Sequence, residues 1–148
     1  MLIPKLPLIS VGKNWVVGPE KNRRSYALIG DFAFYKSDYF LYHLDSNGVL
    51  YSVKSVEELP LAELSLEDRL ILLSYNLFNG KGRWGWARYH YSDVHELCLD
   101  EAKAFLIEQA MRVNSRWKEH GPSIRDFKSR IASAQAHHEL VSVKMALG

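Results

Sequence analysis

The sequence predicts an α+β domain, an N-terminal antiparallel β-sheet of three to five strands followed by three α-helices packed on one of its faces. Three observations carry this reading. Up to about residue 56 the chain is rich in β-branched and aromatic residues, with eight of its 18 aromatics between Tyr26 and Tyr51, which is strand composition. Beyond residue 65 apolar residues recur at steps of three and four, the helical period. The two kinds of segment do not alternate, which argues against a doubly wound nucleotide-binding fold.

Leu8 to Val11 and Trp15 to Val17 are short strand candidates, and Gly18 to Arg24 reads as a polar, locally basic loop. Tyr26 to Tyr35 is another strand, interrupted at Gly30-Asp31. Asn47-Gly48 is the strongest hairpin signal, because a two-residue type I′ turn needs positive φ at both central positions. Pairing Ser46 with Val49 places Phe40, Tyr42, Leu44, Tyr51 and Val53 on one face. Tyr39, Leu41, His43, Ser52 and Lys54 take the other. The first face is expected to pack on helices carrying Leu70, Leu73, Leu106 and Ile131.

The first helix starts at Ser65, a capping residue with Asp68 three positions on. It buries a stripe of Leu66, Leu70, Leu73 and Leu77 and ends at Asn79-Gly80. Trp86 to Tyr91 is a short strand or a loop. A second helix begins between Asp93 and Asp100, ends at Gly121-Pro122, and carries a stripe of Ala102, Leu106, Ala110, Val113 and Trp117. A third, capped by Ser123 and Asp126, has Ile124, Phe127, Ile131, Ala134, His138, Val141 and Met145 in a seam of alternating threes and fours. That seam admits a homodimer through helix 124–145, in which His138 would impose a pH dependence.

With 148 residues, 19 basic and 17 acidic side chains and 47% hydrophobic composition, the chain reads as a single globular domain over 1–148, not a disordered or disulfide-stapled one. Cys98 is the only cysteine, so no internal disulfide forms. No apolar run approaches the roughly 20 residues of a membrane span, and the first residues lack signal-peptide character; a cytoplasmic location is expected. The near-neutral total conceals blocks. Residues 54 to 68 carry five acids and one lysine, and residues 69 to 92 carry four basic residues and no acid.

Gly80-Lys81-Gly82-Arg83-Trp84-Gly85 satisfies the spacing of a dinucleotide fingerprint, but it follows a helix and opens on no helix, so the context for cradling a pyrophosphate is missing. His90, His95 and Cys98 make a thin metal pattern, and the adjacent His137 and His138 diverge by about 100° on a helix. No metal and no cofactor are expected. Local nucleophile and metalloprotease motifs are lacking, which leaves His43 beside Asp45 and His120 in an interhelical turn as the first acid–base candidates. The chain is read as a binding protein rather than an enzyme.

The segment that stands out is 81–91, where Lys81, Arg83, Trp84, Trp86, Arg88, Tyr89 and Tyr91 stand without an acid. Trp, Tyr and Arg dominate binding hot spots. They also suit single-stranded nucleic acid, where aromatics stack on bases and cations follow the phosphates. Core packing of the tryptophans is the third possibility. The function expected by elimination is a protein-binding module, a small cytoplasmic inhibitor that neutralises a partner protein as bacterial toxin immunity proteins do. The alternative is an RNA- or single-stranded nucleic-acid-binding protein using 81–91 with Lys21, Arg23 and Arg24.

Overall fold

The computed structural model of the chain describes residues 3–20, 26–29, 40–78, 83–114 and 122–147. The strands are β1 (Leu8–Gly12), β2 (Val16–Glu20), β3 (Tyr26–Ile29), β4 (Phe40–Asp45), β5 (Val49–Glu58), β6 (Gly85–Glu96) and β7 (Met145–Leu147). The helices are α1 (Leu66–Phe78), α2 (Leu99–Asn114), α3 (Pro122–Ser133) and α4 (His137–Val141). All strand pairs are antiparallel, in the order β3-β6-β5-β4-β1-β2-β7. The α+β class is as expected. Among the described residues the sheet has seven strands, two of them late in the chain: β6 runs from Gly85 to Glu96, and β7 closes the far edge against β2.

The hairpin lies where expected, but its register differs by one residue. Leu44 pairs with Leu50 and His43 with Tyr51, leaving a three-residue loop of Ser46, Asn47 and Gly48. The side chain before the loop decides this. Asp45 Oδ1 accepts the N–H groups of Asn47 and Val49, each at 2.9 Å. Gly48, at φ 81°, takes the left-handed third position of the loop, the usual form of a three-residue hairpin. Tyr42 and Leu44 therefore face the helices, as predicted, but Tyr51 lies on the His43 face. A one-residue slip moves a whole strand's side chains across the sheet.

The main core takes Ile9, Val11, Val16, Leu44 and Leu50 from the sheet. Above them sit Ala102, Leu106, Ala110 and Val113 of α2, with Phe127, Ile131, Leu140, Val141 and Met145. The α2 stripe is thus the predicted one; Trp117 lies outside the described residues. The third helix is not continuous. α3 stops at Ser133, and Gln135 N–H is taken by Glu139 Oε2 at 2.7 Å. The chain restarts as α4, so that the neighbours Leu140 and Val141 are both buried. His138 is exposed. The seam proposed for a dimer through 124–145 is corrected accordingly: from Phe127 to Met145 its apolar residues belong to the chain's own core.

α1 is the larger departure. Its start is as expected, with Ser65 Oγ accepting Asp68 N–H at 3.2 Å. Yet Leu66, Leu70, Leu73 and Leu77 are all exposed, and the helix instead turns Ile71 and Leu72 onto a separate small cluster of Leu59, Leu64 and Trp86.

Gly48 has two reasons to be glycine: its positive φ, and the His137 ring packed where a β-carbon would stand. Gly48→Ala should lower the stability measured by denaturant unfolding by about 1–3 kcal/mol. An unchanged midpoint would show that neither constraint binds.

Candidate functional site

The predicted segment divides by strand alternation. On one side of β6, Trp86 is 3% exposed and its Nε1–H donates to Asp68 O at 3.0 Å, so it anchors α1 and presents no surface to a partner. On the other side Tyr89 and Tyr91 enter a ring cluster with His43, Tyr51, Phe40 and Trp15. Burial is the main cause that pushes both hydroxyls above the ordinary tyrosine range. Lys81 lies outside the described residues. What remains near the surface is Arg83, Trp84 and Arg88.

Arg83 and Trp84 border a groove of about 560 Å³ where the exit of β5, α1 and the entry to β6 meet. Leu59, Pro60 and Leu61 form one wall. Leu72, Leu73, Arg69 and Asn76 of α1 form the second, and Trp84 with the Arg83–Glu58 pair the third. The groove is held open by polar clasps. Asn76 Oδ1 accepts Trp84 N–H at 2.9 Å, its Nδ2 donates to Leu72 O at 3.2 Å, and the Trp84 ring leans on Tyr75 with centroids 4.8 Å apart. Arg69 Nε donates to Leu61 O at 2.9 Å, tying the Leu61–Glu63 turn to the helix.

The block pattern of charge finds its explanation here. β5 and β6 are neighbours with Glu57 opposite Arg88, so the acidic block faces the basic one. Arg83 Nη2 donates to Glu58 Oε1 at 2.9 Å, the second fork nitrogen to Oε2, Arg88 lies 3.8 Å from Glu63, and His90 Nε2 is 2.7 Å from Glu57. Exposed pairs of this kind add little stability, but they neutralise the arginines that a phosphate backbone would need.

Among the described residues the groove contains no histidine, cysteine or hydroxyl nucleophile, and its one carboxylate is forked to Arg83. It suits the insertion of apolar side chains. The other chemical candidates lie elsewhere. His43 is buried, with Nδ1 2.7 Å from Tyr91 Oη, while the Asp45 carboxylate is turned to the backbone of the loop and of Lys5. His120 lies outside the described residues, as do Gly80 and Gly82. Gly85 opens a strand, not a helix, so no helix N-terminus follows the glycines. Among the described residues no three His, Cys, Asp or Glu side chains gather as a metal site.

Of the groove lining, the sequence reading named Arg83 and Trp84 and missed the α1 wall. The available signal was that apolar residues lie on opposite sides of α1, Leu66, Leu70, Leu73 and Leu77 on one and Ile71, Leu72 and Tyr75 on the other, more than a single buried stripe requires. Comparison of the chain with protein-family models, with curated proteins and with solved structures returned no match. No helix among the described residues is long and apolar enough to cross a membrane.

Burial lowers the His43 pKa from 6.5 to about 4. Between those values the unfolded chain holds a proton that the fold rejects. The contribution is therefore intact above pH 6.5 and lost as pH falls toward 4, with up to roughly 3 kcal/mol at stake. Unfolding free energies measured from pH 7 to 4 should decline in this window, and His43→Phe should flatten that part of the curve. An equally steep curve for His43→Phe would assign the loss to other groups.

Proposed function

We propose that the chain is a protein-binding module, a small inhibitor that neutralises a partner protein in the cytoplasm in the manner of bacterial toxin immunity proteins. The observation that carries the reading is the groove, a mostly apolar cleft with a clasped tryptophan, whose one carboxylate among the described residues, Glu58, is forked to Arg83. Such a site suits the uptake of apolar side chains. Trp84 and Arg83 beside Leu61, Leu72 and Leu73 are the residue types that anchor protein contacts. The exposed free thiol of Cys98 accords with a reducing compartment. The nucleic-acid alternative is less well supported, because Arg83 and Arg88 are matched by Glu58 and Glu63.

The test is capture of a partner on the immobilised chain, followed by titration of the purified partner's activity. An inhibitor should abolish that activity at one chain per partner. Leu61→Glu, at an exposed groove position, should weaken binding at least tenfold with the melting temperature unchanged, and Trp84→Ala should do so by more. A partner whose affinity ignores both variants would move the binding site away from the groove. Binding of single-stranded oligonucleotides that falls steeply with salt would replace the reading with the nucleic-acid one.

A further inference from the structure

The groove occupies one flank of α1 and leaves the outermost face of the helix unaccounted for. At 100° per residue, Leu66, Leu70, Leu73 and Leu77 fall within about 60° of arc, opposite the side that turns Asp68, Ile71, Leu72 and Tyr75 to the body. The exposure of these four leucines runs from 55% at Leu73 to 72% at Leu66, and Phe78 beside them is 80% exposed. We infer that a second copy of this chain docks on this face, α1 against α1, antiparallel about a two-fold axis.

Three features favour that occupant. The stripe is its own complement: with steps of four, three and four, reversing the helix brings Leu66 opposite Leu77 and Leu70 opposite Leu73. A two-fold contact requires such self-matching, and heptad-like leucine spacing supplies the interdigitation. Charge is placed to suit. From Leu70 to Phe78 the helix bears no ionisable group except the Tyr75 phenol, which is turned inward onto Trp84, so closing the contact desolvates no ion. An antiparallel pair also opposes the two helix dipoles and keeps the two acidic first turns, with Glu67 and Asp68, at opposite ends of the contact. The area is adequate as well. At on the order of 100 Å² per exposed apolar side chain, the four leucines with Leu61 and Phe78 offer roughly 600 Å² per copy. With a polar rim this approaches the about 800 Å² per partner of a standard interface.

Sedimentation equilibrium on the full chain tests this directly. The expected result is a species of twice the 17.0 kDa chain mass at micromolar concentration. Leu70→Glu/Leu77→Glu should be monomeric, with a dissociation constant raised at least 100-fold and an unchanged far-UV circular dichroism spectrum. Orientation is read in a Cys98→Ser background: Leu66→Cys/Leu77→Cys should oxidise to a covalent dimer and Leu66→Cys alone should not. A wild-type chain monomeric at about 200 µM, or a dimer that survives the double glutamate variant, would overturn the inference. Cross-linking by Leu66→Cys alone would overturn the antiparallel arrangement. Neither Leu70 nor Leu77 lines the groove, so the outcome is separable from the partner reading. The double glutamate variant should still bind a partner, and Trp84→Ala should still dimerise.

Discussion

The Asp45 carboxylate is the group on which the arrangement of this sheet depends. It is 2% exposed, and a carboxylate so placed is tolerable only when its oxygens are occupied by donors. Oδ1 takes Asn47 and Val49 N–H, and Oδ2 takes Lys5 N–H at 3.0 Å. Burial together with this carboxylate raises the Tyr51 pKa. The first two bonds fix a three-residue loop and hence the β4/β5 register. The third, with Ser46 Oγ and N–H both donating to Lys5 O, holds the entry to β1 beside the same turn. From that register follows the division of the sheet: Leu44 and Leu50 to the helices, His43 and Tyr51 to the ring cluster.

β6 carries the consequence across the molecule. It pairs with β5 over most of its length, and alternation along it sends Trp86 toward α1 and Tyr89 and Tyr91 toward His43. One strand thus anchors two separate clusters. The groove forms where this strand begins, since there the exit of β5, the short turn at Leu61–Glu63 and α1 converge without a large core of their own. Its walls are fixed by Asn76 and Arg69, whose side chains answer backbone groups eight residues away in sequence. Such groups hold a shape at modest net stabilisation, which suits a site that must be preformed for binding.

How far this could be read from residues alone varied by element. The α2 stripe was legible because Ala102, Leu106, Ala110 and Val113 repeat at the helical period and nothing competes for that face. The position of the hairpin was legible at Asn47-Gly48, but its register was not. Two- and three-residue loops both accept that dipeptide, and the choice rests on where the Asp45 side chain points. In the third helix the alternation of threes and fours concealed a break, because Ile131 and Val141 satisfy one periodic pattern whether or not the helix stops between them. The candidate site was half legible. Arg83 and Trp84 announced themselves by type, whereas the clasp from Asn76 and the leucine wall of α1 depend on contacts that no local pattern encodes.

The α1 stripe shows the limit most plainly, since the same spacing serves a core and an interface. What distinguishes them is supply of a second surface: the cluster of Leu59, Leu64 and Trp86 is large enough to cover one side of the helix only. α1 is therefore held by one small apolar contact and a set of polar clasps, and it gains most from anything that covers its outer face. Binding that covers the helix stabilises it by mass action. Leu73 borders both the groove and the stripe, so the proposed partner in the groove and the inferred second copy on the stripe would meet at the same helix.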